Sequence, residues 1–291
     1  MNLTIPSTTH RRVTGLLLLA GLAFFPATHL DAQTNAPVRS EPTNAAETAL
    51  QKKYGDKLKP RDYAAYQKLV AALPPDEQAW EKVLEDQLGG FYFPIHVHDR
   101  LTKHETAWTF VKDDPALPRV LLIGDSISRS YTVDVRHQLA GQANIHRAPA
   151  NCGPTDSGLK NMDVWLGSGK WDLIHFNFGI HDRKKTPEQY TANLEKVIAL
   201  LEKTGAQLVW ARTTPFKNKG SKVEDDSPAL NKVSDELMQK HGIPVDDLHA
   251  AVIGVVATAR NADDTHFNEA GVKLLAAQVV KSIEPLLKKK P

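Results

Sequence analysis

Two short blocks far apart in the chain hold residue types that together could run nucleophilic catalysis. The first is Gly124-Asp125-Ser126-Ile127-Ser128, and the second is Asp263-Asp264-Thr265-His266-Phe267. A serine hydroxyl becomes a useful nucleophile when a histidine takes its proton and an acceptor fixes the other ring nitrogen of that histidine. Asp263, three residues before His266, has the spacing to reach back within one turn; Asp264 is the alternative. Taken singly, the first block also reads as a serine capping a helix and the second as a polar turn before one. The serine block is neither a Gly-x-Ser-x-Gly elbow, because Ser128 replaces the second glycine, nor a dinucleotide-binding glycine loop. Two other sets of reactive side chains have plainer readings. Cys152, the single cysteine, sits in Asn-Cys-Gly-Pro and reads as a small buried thiol. His96 and His98 would share a face on a strand and could then bind a metal, but no further ligands accompany them, so they read as polar loop residues.

The elements that must position Ser126 and His266 follow from hydropathy. From Arg119 the chain alternates apolar runs with amphipathic segments. Arg119–Ile123, Trp171–Asn177 and Ala206–Ala211 are the clear strands, with weaker ones at Asn144–Arg147 and Ile243–Val245. Thr186-Pro187-Glu188-Gln189 is a capping box opening a helix with Tyr190, Leu194, Val197, Ile198 and Leu201 on one face. A last helix starts near Asn268 and buries Val272, Leu275, Val279 and Ile283. Such alternation predicts a parallel sheet covered on both faces, with ligands bound at the carboxyl ends of its strands. Ser126 falls just after the first strand. There its own N–H, at the start of a helix, is placed to hold an oxyanion. Upstream, Tyr66, Leu69, Val70 and Leu73 form one helical face, and Trp80, Val83, Leu84 and Leu88 another between Pro75 and Gly89-Gly90.

Four blocks at successive strand ends, in this order, resemble the SGNH (GDSL-type) hydrolases over roughly 119–287. Gly-Asp-Ser and Asp-x-x-His-Phe are the outer two; Asn151-Cys152-Gly153-Pro154-Thr155 and Gly179-Ile180-His181-Asp182 are the inner two. The resemblance implies a flavodoxin-like three-layer α/β/α fold with five parallel strands, and ester hydrolysis through an acyl-enzyme without metal or cofactor. Ser126 would attack, His266 act as base and Asp263 orient it. The N–H groups of Ser126 and Gly153 would hold the oxyanion. The third block departs from the family pattern: His181 stands where an asparagine donates its amide. Either His181 or Asn177, four residues earlier, would then be the third donor. Secreted relatives often remove acetyl groups from carbohydrate, so the implied substrate is a small ester or acylated carbohydrate. A lipase or lysophospholipase, and a catalytically inactive glycan-binding module, stay open as alternatives. Arg183-Lys184-Lys185 and the lack of a long apolar lid segment weigh against long acyl chains.

Composition bounds these readings. The chain has 291 residues, is 41% hydrophobic and carries a net charge of +2, which suits one globular domain with added segments. No basic stripe interleaved with aromatics appears, so nucleic-acid binding has no electrostatic support; Lys288-Lys289-Lys290 reads as a solvated helix end. Arg11-Arg12, an apolar run from Val13 to Phe25 and a small residue at Ala32 describe a secretory signal peptide, too short for a comfortable span. The expected organisation is therefore a signal peptide (1–32), a polar linker (33–46), a helical extension (47–118) and the hydrolase domain (119–291). The mature protein is expected outside the cytoplasm, secreted or periplasmic, with no stable membrane insertion after cleavage. A single cysteine excludes an intramolecular disulfide, so the core alone must hold the fold.

Overall fold

The structure, a computed structural model, describes residues 44–103 and 105–287. The stretch expected to be a signal peptide, nearly all of the expected linker and the terminal lysine run lie outside the described residues. The extension holds four helices: α1 (Asn44–Tyr54), α2 (Pro60–Ala71), α3 (Pro75–Gln87) and α4 (Gly89–Thr102). The α/β part then runs β1 (Arg119–Ile123), α5 (Ser126–Gln138), β2 (Asn144–Arg147), α6 (Thr155–Leu166), β3 (Leu173–Phe176), α7 (Pro187–Glu202), β4 (Gln207–Ala211), α8 (Pro228–His241) and β5 (Val245–Asp246). It closes with the short α9 (Leu248–Ile253) and α10 (Val256–Ala259), then α11 (Glu269–Ile283).

All five strands are parallel and lie in the order β2-β1-β3-β4-β5. The period-two alternation of a strand sorts the β1 side chains. Leu121 and Ile123 pack with Ile174, Phe176, Leu208 and Trp210 under α6, α7 and α8. Val120 and Leu122 pack with Ile145, Leu173 and Val209 under α5 and α11. Burial of both faces is what makes β1 and β4 read as nearly unbroken apolar runs. Because strand order reverses at β1, the crevice between the ends of β1 and β3 is where this topology binds ligands. The capping box forms as expected: Thr186 Oγ1 accepts from Gln189 N–H at 3.3 Å, and the Gln189 side chain accepts from Thr186 N–H at 3.1 Å.

The extension has its own small core of Tyr54, Tyr66, Leu84, Leu88, Phe93, Val97 and Trp108. It also bonds to the α/β part, through Trp165 Nε1 to Gln87 Oε1 at 3.2 Å and Arg136 Nη1 to Glu105 Oε1 at 2.6 Å. Two details differ from the sequence reading. The first helix begins at Asn44, inside the stretch expected to be linker, and α2 ends at Ala71, so Leu73 lies beyond it. The larger correction concerns His96 and His98, which sit on α4 and not in a loop. Gly89, at φ +64°, turns the chain and lets a new helix start at once, so the two glycines separate helices instead of ending the helical region. On a helix two residues apart diverge. His96 is buried and meets Glu81 Oε2 at 2.6 Å, whereas His98 is exposed. Phe93, His96 and Val97 form the buried stripe, and counting His96 as polar is what hides its helical period.

Candidate active site

Ser126 is the first residue of α5, directly beyond the end of β1. Asp125 caps that helix, its Oδ1 accepting from Ile127 N–H at 2.9 Å. The turn is tight enough to exclude any side chain at Gly124: a Cβ there would lie 2.8 Å from Ser128 Oγ. Ser128, which stands in place of an elbow glycine, donates back to Asp125 O at 2.9 Å and braces the same turn. Arg147, buried at the end of β2, donates through Nη2 to the carbonyls of Gly124 (3.1 Å) and Asp125 (2.9 Å). Those two carbonyls are thereby fixed. As a first-turn residue, Ser126 has an N–H with no acceptor inside its helix, so the group is free to serve a ligand.

His266 closes on this serine from the loop before α11. Its Nε2 lies 2.7 Å from Ser126 Oγ, and its Nδ1 lies 2.7 Å from Asp263 Oδ2. The other oxygen of Asp263 accepts from the N–H groups of His266 (2.9 Å) and Thr265 (3.0 Å). Partial burial pushes the Asp263 carboxyl up, but these N–H donors and the imidazole together outweigh it and hold it below the usual carboxylate range. Asp264 is turned elsewhere. It adopts a left-handed backbone (φ 61°), which aspartate tolerates better than most residues, and its carboxylate lies 3.7 Å from Arg260 Nη2. Of the two carboxylates left open by spacing, Asp263 is the one that meets His266.

The other two blocks arrive from β2 and β3. Gly153 takes φ +64°, a conformation that favours glycine and sets the direction of the local N–H groups. Two residues on, Thr155 gives both its N–H (2.8 Å) and its hydroxyl (2.7 Å) to the buried carboxylate of Asp182. That pair of bonds fastens the Gly153 loop to the turn carrying His181. Burial raises the pKa of Asp182, and the bonds from Thr155 offset only part of it. The His181 ring projects to the surface beside the capping residue, Nε2 at 3.6 Å from Asp125 Oδ2. Asn177 is committed to the sheet, its Nδ2 donating to Ala211 O at 2.7 Å and Thr213 Oγ1 at 3.2 Å. Cys152 lies in the core below, and burial pushes its thiol up to about 12, so it is no thiolate nucleophile.

Sequence reasoning named Ser126, Gly153, His181, His266 and Asp263, and all of them fall at this one end of the sheet. It missed Arg147, whose signal was an arginine at the last position of an expected strand. It also missed the Thr155–Asp182 pair, although both residues stand in the quoted blocks. Among the described residues no group of three or more His, Cys, Asp or Glu side chains could hold a metal ion, His96 and His98 included.

A parallel sheet with a serine, histidine and aspartate hydrogen-bonded in series at its carboxyl end defines a hydrolase of the serine-nucleophile class. Residues 122–274 match the model of the GDSL-like lipase/acylhydrolase family, and the chain belongs to that family. Among solved structures, it is similar to a lipase/acylhydrolase from Enterococcus faecalis, with 26% identity over 60% of this chain and 99% of the other, at a TM-score of 0.51. It also resembles TesA, with 20% identity over 58% of this chain and 99% of the other and a TM-score of 0.50. The acetyl xylan esterase AlAXEase shares the fold at 14% identity, over 57% of this chain and 99% of that one, with a TM-score of 0.50. No curated protein matches.

Proposed function

We propose that this protein is an exported esterase that removes short acyl groups, acetyl above all, from carbohydrate through an acyl-enzyme. The observation that carries the reading is the hydrogen-bonded series Ser126 Oγ–His266 Nε2–Asp263, both links at 2.7 Å. In this mechanism Ser126 Oγ attacks the ester carbonyl while His266 Nε2 takes its proton. The imidazolium, stabilised by Asp263, then protonates the departing alcohol. Water repeats the sequence on the acyl-enzyme and frees the acid.

The tetrahedral oxyanion is held by the N–H groups of Ser126 and Gly153 and by a ring N–H of His181. A histidine always keeps at least one N–H to donate, so it can replace an amide in this role. That assignment is supported by Asn177, whose amide is already engaged by Ala211 and Thr213. Short acyl selectivity is supported by the polar neighbourhood of His181, Arg183 and Lys184. Export rests on the N-terminal sequence pattern alone.

Two measurements test the proposal. A serine-directed organophosphonate is expected to label Ser126 and abolish hydrolysis, and Ser126→Ala to lower kcat by roughly 10³-fold or more. Nitrophenyl acetate is expected to turn over faster than nitrophenyl decanoate. Absence of labelling would favour an inactive binding module, and a preference for decanoate would favour a lipase.

A further inference from the structure

Among the described residues two arginines near the nucleophile lack a carboxylate partner; Arg147 spends Nη2 on the carbonyls of Gly124 and Asp125, whereas Arg129 has no such bonds. Arg129 lies three residues after Ser126 on α5, so the two side chains share a helix face. The other half-buried arginines of the α/β part are paired: Arg119 with Asp113, Arg136 with Glu105, Arg212 with Asp235 and Asp247, and Arg260 with Glu224. Arg129 has no carboxylate or carbonyl within bonding distance among the described residues, and its Nε is buried without a hydrogen-bond partner. What surrounds it is aromatic. Its guanidinium carbon is 5.8 Å from the ring centre of Tyr92 and 5.9 Å from that of Trp108. Both rings belong to the extension and its connection to β1, and they contact each other edge to face at 5.9 Å.

Burial raises the pKa of the Tyr92 hydroxyl. Asp125, at the cap of the same helix, is not paired with Arg129: it accepts from Ile127 N–H and faces His181. A half-desolvated guanidinium without a counter-charge is unfavourable, and a ligand anion relieves it. Cation–π contacts offer no acceptor to the N–H groups, which stay available for the two-point hydrogen bonding that suits a carboxylate.

We infer that Arg129, held by Tyr92 and Trp108, recognises a carboxylate on the substrate, so that the ester is carried by an acidic sugar, a uronate. The inference rests on the esterase reading above and narrows its substrate. It also gives the helical extension a part in specificity, because the extension supplies the wall against which Arg129 stands.

The test compares kcat/KM of the full-length protein on an O-acetylated methyl uronoside with that on the same sugar as its neutral uronamide. The acid is expected to be preferred roughly ten- to a hundredfold, as for a hydrogen bond to a charged group, mainly through KM. Added salt should erode the preference. Arg129→Gln should bring the ratio near one, and Arg129→Lys should keep part of it. Reading a ratio cancels any general loss of activity, and the salt response of the unaltered protein stands even where a variant fails to fold. Equal rates on acid and amide in the unaltered protein, or a preference surviving Arg129→Gln, would overturn the inference and leave the esterase reading intact. Failure to hydrolyse nitrophenyl acetate as well would overturn both.

Discussion

Asparagine at position 263 poses a problem that can be worked through from the hydrogen bonds. The Asp263 carboxylate accepts three of them: Oδ2 from His266 Nδ1, and Oδ1 from the N–H groups of His266 and Thr265. An amide of the same shape has one acceptor oxygen. If that oxygen keeps the two backbone donors, the amide N–H₂ faces Nδ1, which must then give up its proton. The proton moves to Nε2, the atom that has to receive the one from Ser126. If the oxygen turns to Nδ1, the N–H₂ confronts two backbone donors and the loop is pushed open. Either way one or two bonds to a charged group are lost, at about 1.5–3 kcal/mol each, with tenfold in rate for each 1.36 kcal/mol. The Asp263 side chain is 53% exposed and that of His266 40%, so solvent screening calls for the lower part of that range. Asp263→Asn is therefore expected to lower kcat by roughly 10²–10³-fold, against the about 10⁴-fold known for a buried triad aspartate. Asp264→Asn is the matched control, since asparagine also tolerates the left-handed backbone, and is expected within about twofold of the unaltered enzyme. Steady-state kinetics on nitrophenyl acetate, with circular dichroism to verify the fold, decides the matter. A loss below fivefold for Asp263→Asn, or a larger loss for Asp264→Asn, would refute the reasoning.

His181→Ala should cost about 10²–10³ in kcat with little change in KM, and His181→Asn should recover part of that loss. Near-normal turnover in His181→Ala together with a large loss in Asn177→Ala would hand the donor role to Asn177. In the extension, burial pushes Glu81 up, but bonds from His96 and Tyr66 and the charge of Arg100 prevail and leave its pKa lowered. A depressed folded-state pKa contributes stability that is present above the unfolded value and lost as pH falls through the folded one. The extension should thus loosen in acid below about pH 4, the unfolded glutamate range, as followed by tryptophan fluorescence. Glu81→Gln should lower stability at neutral pH by about 3–5 kcal/mol, measured by denaturant unfolding, because it leaves the largely buried Arg100 without its counter-charge. Finally, export predicts a mature N-terminus near Gln33; N-terminal sequencing that finds Met1 intact on a cytoplasmic protein would reject it.

The sequence was most legible where local rules act. β1 and β4 are legible because burial on both faces selects continuous apolar runs, and α7 because its capping box is written in adjacent residues. The last helix starts where Asn268 can cap it. Ser126 and His266 were legible because chemistry restricts the residue types, and because the ends of parallel strands restrict where such residues act. Tertiary structure decided what spacing leaves open. Asp263 and Asp264 both stand within one turn of His266 along the chain, and the left-handed backbone at Asp264 turns its carboxylate toward Arg260 while Asp263 meets the imidazole. Asn177 and His181 both carry N–H donors, and only the pairing of β3 with β4 occupies the amide of Asn177. His96 looked polar because a sequence cannot show the Glu81 carboxylate waiting on a neighbouring helix. Nor could any local pattern bring Tyr92 and Trp108 onto Arg129: contacts between an extension and a sheet depend on packing, and packing has no period to read.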